Sequence, residues 1–268
     1  MSIAVLTSER RTAIAAQTWA MSKRAILALA RQPTVVFPSL VFPLFFVALG
    51  TAAFGRAIEL PNFPKVDSFL DFALAGAILQ GVLFGSVTSA TALATDIETG
   101  FFDRLMASPT SRVSILVGRL AGAMTYAALQ TIVFIAVLIP FGLTVRAGPL
   151  GVLVMVAGGM LTALAVGGLM SAMAIRTGSS EAVQGAFPLL FILLFLSSAF
   201  FPRQTMNGAY RRIAGLNPVS HLVEGFRDLT IDGLSWSAVG RTLLVSGGLA
   251  FVAMAIALRS LRKRVAAR

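Results

Sequence analysis

The sequence predicts an all-α membrane protein with several transmembrane helices. Six segments contain no Asp, Glu, Lys or Arg: 32–55, 72–95, 120–145, 147–175, 182–202 and 242–258. Each is close to the roughly 20 apolar residues that an α-helix needs to cross about 30 Å of hydrocarbon. The composition agrees, because the chain is 57% hydrophobic and only 12% charged, whereas soluble domains carry about 25% charged residues.

The uncharged segments predict the order of the elements along the chain. We expect six spans within a transmembrane domain of residues 32–258, at about 35–54, 70–94, 114–143, 150–175, 183–201 and 241–258. Residues 1–31 mix Trp19 and Ile26 with Lys23 and Arg24, which favours an amphipathic helix on the inner leaflet over a loosely ordered basic tail. Residues 259–268 form a basic cytoplasmic tail.

The distribution of Lys and Arg predicts the orientation in the membrane. Most of these residues lie before the first span, after the last span and in the loops after spans two and four, which indicates that both termini are cytoplasmic. The connection 202–241 is an exception. We favour an ordered external structure there over a miscounted span. The net charge of +11 is expected to face anionic lipid, and no nucleic-acid partner is expected.

Several function classes are excluded by what the sequence lacks. The chain has no cysteine and one histidine, His221, so no metal site is expected. Away from their ends, the spans contain no ionisable residue, which argues against ion coupling through an intramembrane carboxylate relay. Lys23, Lys65 and Lys263 follow no glycine-rich phosphate loop, so no ATP site is expected in this chain.

Two connections between spans carry informative patterns. The loop 96–112 predicts a short helix that presents Phe101, Phe102, Leu105 and Met106 to a groove in a soluble partner; an ordinary solvated loop is the alternative. The second pattern is the Asn217–Pro218 turn, followed by a helix with one apolar face. This helix is expected at the membrane surface or partway into the bilayer. Its Glu224 and Arg227 are spaced to form an ion pair.

Small residues recur at four-residue spacing in three of the spans. This spacing predicts close helix packing in lipid. The residues are Ala77, Gly81, Gly85 and Ser89 in span two, Gly118 and Gly122 in span three, and Gly159, Ala163, Gly167 and Ser171 in span four.

The two connections together resemble a known family, the permeases of type-2 ATP-binding-cassette exporters. The match to the cytoplasmic motif of that family comprises Glu98, Gly100, Asp103, Arg104, Leu105 and Pro109. The match to its external motif between spans five and six comprises Asn217, Pro218, His221, Leu222, Glu224, Gly225, Phe226 and Arg227. The likeness covers nearly the whole chain and is greatest for the bacterial daunorubicin-type permeases.

The resemblance implies export of a drug, lipid or glycolipid across the bacterial inner membrane, driven by separate ATPase subunits that bind ATP and Mg²⁺. The permease would pair with itself or with a second permease. The implied coupling residues are Glu98, Gly100, Phe101, Phe102, Asp103, Arg104, Leu105, Met106 and Pro109. The implied pathway residues are Gln80, Phe84, Gln184, Phe187 and Phe191, and the implied external gate is a re-entrant helix with Asn217, Pro218, His221, Glu224, Phe226 and Arg227. A membrane scaffold that only binds other helices is the alternative.

Overall fold

The computed structural model describes residues 16, 17, 19–24, 26, 27, 31, 33–107 and 112–266. These residues form α-helices joined by short connections and 3₁₀ turns, so the all-α prediction is confirmed. The α-helices are α1 (Pro33–Phe54), α2 (Phe69–Glu98), α3 (Phe101–Ala107), α4 (Arg112–Leu138), α5 (Gly148–Thr177), α6 (Ser180–Gly185), α7 (Phe187–Phe195), α8 (Gly208–Leu216), α9 (Pro218–Ile231) and α10 (Trp236–Ala266).

Five of these helices are long and apolar enough to cross a bilayer: α1, α2, α4, α5 and α10. They contain 22 to 31 residues, which corresponds to roughly 33 to 46 Å at 1.5 Å per residue. The prediction of a multi-pass membrane protein is therefore confirmed.

The predicted fifth span, 183–201, differs in the structure. It is a shorter apolar helix, Ser180–Phe195, divided at Ala186 into α6 and α7. Pro188 accounts for the break, because it has no N–H to donate to the carbonyl of Gln184. The chain leaves the helix after Phe195, although residues 196–201 are still uncharged.

Polar groups from α9 bind the non-helical segment that follows α7. The backbone N–H of Ser198 donates to Ser220 Oγ at 3.0 Å, and Arg227 Nη2 donates to the carbonyls of Ser198 and Ala199 at 3.0 and 3.4 Å. Backbone groups outside a helix need such partners in an apolar environment. Helix α9 therefore replaces the hydrogen bonds that a continued α7 would have made.

Helix α5 lies at the centre of the bundle and packs against α2, α4 and α10. Glycines permit these close approaches. A Cβ at Gly85 of α2 would lie 2.6 Å from the Tyr126 ring of α4, and one at Gly168 of α5 would lie 3.2 Å from Ala253 Cβ of α10. The small-residue positions of α2 are thus packing surfaces. Helix α1, in contrast, exposes most of its apolar length.

The N-terminal interfacial helix is described only in part. The described residues between 16 and 27 are helical, with Trp19 exposed and Ser22 buried. Residues 1–15 of this prediction lie outside the described part of the chain.

Candidate functional site

The predicted coupling segment lies at one end of the bundle, where α2 turns into α3. Thr99 caps α2, and Gly100 follows with φ of 71°. This left-handed conformation costs glycine little, since glycine has no Cβ. Helix α3 then begins at Phe101 and ends at Ala107. The helix predicted from the loop 96–112 is present, and Pro109 lies outside the described residues.

Glu98, the last residue of α2, binds the beginning of α6. Its Oε1 accepts a hydrogen bond from the Ser180 backbone N–H at 2.6 Å, and its Oε2 accepts one from Ser180 Oγ at 3.1 Å. A carboxylate is favourable there because the first N–H groups of a helix are unpaired and partly positive. The family resemblance implies that Glu98 is one of the residues coupling the chain to its ATPase. The structure shows a bond to the first residue of the short apolar helix.

The apolar residues of α3 pack largely against the rest of this protein. Phe102 is 3% exposed, and Leu105 and Met106 pack against the same cluster, which includes Ile175 and Leu261. The expected presentation of all four apolar side chains to a partner therefore differs from the structure. Arg104 and Ala107 are the exposed residues of α3.

Phe101 of α3 is partly exposed and contacts two arginines. The Arg24 guanidinium of the N-terminal segment lies 4.4 Å from the centre of the Phe101 ring, and that of Arg104 lies 5.9 Å from it. A guanidinium over an aromatic face is an attractive cation–π contact. The N-terminal segment and α3 therefore meet at the same end of the bundle.

A cavity of about 280 Å³ lies beside this segment, between the N-terminal residues, α2 and α4. Its wall includes the ion pair of Asp96 and Arg119 and the Tyr126 ring. Sequence reasoning missed this feature. The available signal was two opposite charges at the ends of consecutive spans.

Three of the predicted pathway residues form one aromatic cluster. The ring of Phe84 on α2 lies 4.8 Å from Phe187 and 6.1 Å from Phe191 on α7, measured between ring centres. Phe42 of α1 joins the cluster at 5.3 Å from Phe84. Sequence reasoning missed Phe42, because α1 was not expected to line the pathway.

The two predicted pathway glutamines differ in environment. Gln80 is 1% exposed, its Nε2 has no hydrogen-bond partner among the described residues, and it lines an apolar cavity of about 220 Å³ between α1, α2 and α7. Gln184 is exposed and lies within 3.5 Å of the Ser180 carbonyl on its own helix. Gln80 is thus a polar group in an otherwise apolar wall.

The predicted turn and helix after residue 216 are present as α9, at the end of the bundle opposite α3. Asn217 caps the helix: its Oδ1 accepts from the Val219 N–H at 2.9 Å, and its Nδ2 donates to the Leu193 carbonyl at 2.7 Å. Pro218 occupies the first helical position, where no N–H is needed. His221 Nε2 lies 3.2 Å from the Gly215 carbonyl, and Phe226 is fully buried.

The predicted pair between Glu224 and Arg227 is wrong. Glu224 instead pairs with Arg203, whose Nη1 lies 2.9 Å from Oε1. Arg227 is turned into the bundle, 7% exposed, with its guanidinium 3.8 Å over the Phe72 ring. Burial lowers the pKa of Arg227 to about 9, against the opposing effect of Glu224 and Asp228.

A polar cavity of about 660 Å³ opens at this same end of the bundle. Connections between α1 and α2, between α4 and α5 and between α7 and α8 form part of its wall, together with residues of α8, α9 and α10 and Asp232 after α9. Its lining includes six cationic and three acidic side chains. Among the described residues there is no cluster of His, Cys, Asp and Glu suited to a metal ion.

This arrangement defines a multi-pass helical membrane protein, and comparison with known proteins gives its family. The chain belongs to the ABC-2 type transporter family, whose model matches residues 16–231. A permease of this family lacks an ATPase site and works with partner ATPase subunits.

Two relatives place the chain among permeases of drug-resistance exporters. The daunorubicin resistance ABC transporter permease protein DrrB1 of Streptomyces coeruleorubidus is 32% identical over 262 residues, which is 95% of this chain and 89% of the relative. The probable doxorubicin resistance ABC transporter permease protein DrrC of Mycobacterium tuberculosis is 22% identical over 238 residues, covering 88% and 85% of the two chains.

Proposed function

We propose that this chain is the membrane-spanning subunit of an ATP-driven exporter that moves a hydrophobic or amphipathic compound, such as a drug, lipid or glycolipid, out of the cytoplasm. The aromatic cluster of Phe84, Phe187 and Phe191 is the main support. Its rings come from α2 and α7, the two elements expected to line the pathway, and Phe42 adds a third. Aromatic walls with few polar groups suit such cargo.

The proposed topology has six spans in the bacterial inner membrane, with α6 and α7 together as the fifth and both termini in the cytoplasm. Residues 1–31 lie along the inner leaflet, and residues 259–268, of which 259–266 continue α10, form the cytoplasmic end of the chain. Helix α9 is re-entrant on the external side. The 16 residues from Ser180 to Phe195 reach roughly 24 Å, less than the hydrocarbon thickness of about 30 Å. The segment after α7, supported by α9, would complete this span.

The proposed coupling site is the end of α2 together with α3. Partner ATPases, which bind ATP and Mg²⁺, would contact the exposed residues there, and the buried residues would hold α3 rigidly to the bundle. The site comprises Glu98, Gly100, Phe101, Phe102, Asp103, Arg104, Leu105, Met106 and Pro109. Because Glu98 binds Ser180, movement of α3 would be passed to α6 and α7 and so to the aromatic cluster.

The proposed external gate is α9, with Asn217, Pro218, His221, Glu224, Phe226 and Arg227. Its residues Ser220 and Arg227 bind Ser198 in the segment after α7, and Asn217 binds the Leu193 carbonyl of α7, so α7 and α9 would move together. Two permeases, identical or different, would enclose the pathway, with the exposed apolar face of α1 as lipid or partner contact.

Transport by aromatic variants tests this proposal. Phe84→Ala or Phe187→Ala should lower ATP-dependent accumulation of daunorubicin in inside-out vesicles by roughly two- to tenfold, which corresponds to about 0.5 to 1.5 kcal/mol of lost aromatic contact. Phe251→Ala is the matched control, because Phe251 is 77% exposed on α10 and contacts no ring among those described. A panel of lipophilic dyes and labelled lipids extends the assay beyond one relative's drug.

The assay requires the permease co-expressed with its ATPase. Equal transport by Phe84→Ala, Phe187→Ala and the control would remove the aromatic cluster from the pathway. Absence of ATP-dependent transport for every compound in the panel, with the ATPase bound and active, would favour the scaffold alternative.

A further inference from the structure

The cavity of about 660 Å³ at the end of the bundle opposite α3 carries an excess of positive charge. Three of its cations are paired with carboxylates: Arg203 with Glu224, Arg241 with Asp228 and Arg146 with Asp67. Three others are not. Within the described part of the chain, no carboxylate lies at ion-pair distance from Lys65, Arg211 or Arg227. These three side chains come from separate elements and all line the same cavity.

Arg227 is the buried member of this group and has unused hydrogen-bonding capacity. Its Nη2 is occupied by two backbone carbonyls, but its Nε is buried and has no partner among the described residues. A buried donor without a partner is costly. An anion in the cavity would balance the positive charges of Arg227, Lys65 and Arg211.

The charged cavity adjoins the apolar cavity of about 220 Å³ between α1, α2 and α7. Phe72 and Ala199 line the apolar cavity. The Arg227 guanidinium lies 3.8 Å over the Phe72 ring and donates to the Ala199 carbonyl. Arg227 therefore stands at the shared wall, with cationic residues on one side and phenylalanines on the other.

We propose that these adjoining cavities bind an anionic amphiphile, with its phosphate headgroup among Lys65, Arg211 and Arg227 and its apolar part against Phe72 and the phenylalanines around it. Phosphate fits this set because its oxygens accept several charge-assisted hydrogen bonds at once, and arginine is the side chain best suited to donate them. The proposal rests on the proposed function only in naming this end as external. The site would then recognise the headgroup of cargo or lipid in the outer leaflet.

Binding to the isolated permease tests the proposal without any ATPase. The probes are dioleoyl phosphatidylglycerol, dioleoyl phosphatidylcholine and inorganic phosphate, added to delipidated permease in non-ionic detergent and followed by native mass spectrometry. Phosphatidylglycerol should bind about tenfold more tightly than phosphatidylcholine, as expected when an uncompensated cation pairs with an anionic headgroup. Displacement of phosphatidylglycerol by inorganic phosphate at equal concentration would identify a site for free phosphate. It would overturn the proposal that the ligand is an amphiphile.

Two variants locate the binding. The double variant Lys65→Gln, Arg211→Gln should abolish the preference for phosphatidylglycerol, whereas Arg212→Gln, an exposed neighbour on α8 that does not line the cavity, should retain it. Ala73→Phe, which fills the apolar cavity, should weaken the binding of both lipids to the same extent. An unchanged preference in the double variant overturns the proposal. Because Lys65 and Arg211 are exposed, their substitution should leave thermal unfolding unchanged, and transport assays remain a separate test of the export function.

Discussion

The carboxylate of Glu98 accepts two hydrogen bonds from one residue of another helix, Ser180, and this gives it a role distinct from partner binding. Glu98→Ala should lower both transport and permease-stimulated ATP hydrolysis, because the end of α2 would lose its link to α6. Ser180→Ala should have a smaller effect, since the backbone N–H bond remains. ATP-dependent transport in vesicles measures both variants.

A double-mutant cycle separates this role from direct contact with the ATPase. If Glu98 acts through Ser180, the effects of Glu98→Ala and Ser180→Ala should be non-additive by about 0.5 to 3 kcal/mol, as for other contacting pairs. Glu181→Ala, the exposed acidic neighbour on α6, is the matched control. Additive effects of Glu98→Ala and Ser180→Ala would show that Glu98 contacts the ATPase alone.

The ion pair between Arg203 and Glu224 joins the segment after α7 to α9. Glu224→Gln should lower the unfolding temperature in detergent, and the combined change Arg203→Glu, Glu224→Arg should recover part of the loss. The side chains are 31% and 20% exposed, so the coupling should be modest, roughly 1 kcal/mol. A cycle of Glu224→Gln with Arg227→Gln should give a smaller coupling energy. The reverse ranking would contradict the observed pairing.

Residue pairing was the part of the site least accessible from the sequence. The motif positions of Glu98 and Arg227 were visible, but Ser180 lies 82 residues from Glu98 and Ser198 lies 29 residues from Arg227. Local spacing favoured the pair of Glu224 and Arg227, because residues three apart face each other on a helix. Packing of α9 on α2 turned Arg227 inward instead.

At the scale of elements, the gaps in charge predicted the five long helices because the cost of burying charge in lipid limits where Lys, Arg, Asp and Glu occur. The same signal could not predict the end of α7. Residues 196–201 are as uncharged as the helix before them, and their backbone groups find partners on α9. A helix can end inside an apolar segment when another element supplies those bonds.

The packing of α9 on α10 depends on Gly225. A Cβ at this position would lie 2.9 Å from Thr242 Oγ1 and 3.0 Å from Thr242 Cα, where the contact is with backbone and cannot move aside. Gly225→Leu should therefore destabilise the protein by about 1 to 3 kcal/mol, the usual cost of overpacking. The measurement is thermal unfolding in detergent.

Gly248→Leu is the matched control for Gly225→Leu. Gly248 lies within α10, and nothing would come within 4 Å of a Cβ there. Leucine also favours a helix by up to about 1 kcal/mol relative to glycine, so this variant should be neutral or more stable. Equal losses in the two variants would show that α9 does not pack on α10 as described.

At the scale of the whole molecule, the contacts form a continuous route between its two ends. Helix α3 adjoins Glu98, Glu98 binds α6, α6 leads into the aromatic cluster on α7, and the segment after α7 is held by α9. The charged cavity lies at the far end of this route, and Arg227 forms part of its wall. A movement at α3 would thus be passed through packing and hydrogen bonds to both the aromatic cluster and the charged cavity. This transmission needs no charged residue in the middle of the bundle.

This route has a direction only if α3 and α8 lie on opposite sides of the membrane, and the chain is suited to a direct test because it contains no cysteine. Ala107→Cys at the end of α3 and Ala209→Cys in α8 each place one thiol at an exposed position. An impermeant maleimide added to intact cells should label Cys at 209 but not at 107, and both should react once the membrane is opened. Labelling of position 107 alone in intact cells would reverse the proposed orientation and place the charged cavity on the cytoplasmic side. Labelling of both positions in intact cells would show that α3 and α8 lie on the same side of the membrane and would remove the proposed direction. The negative control is the cysteine-free chain, which the maleimide should not label before or after the membrane is permeabilised.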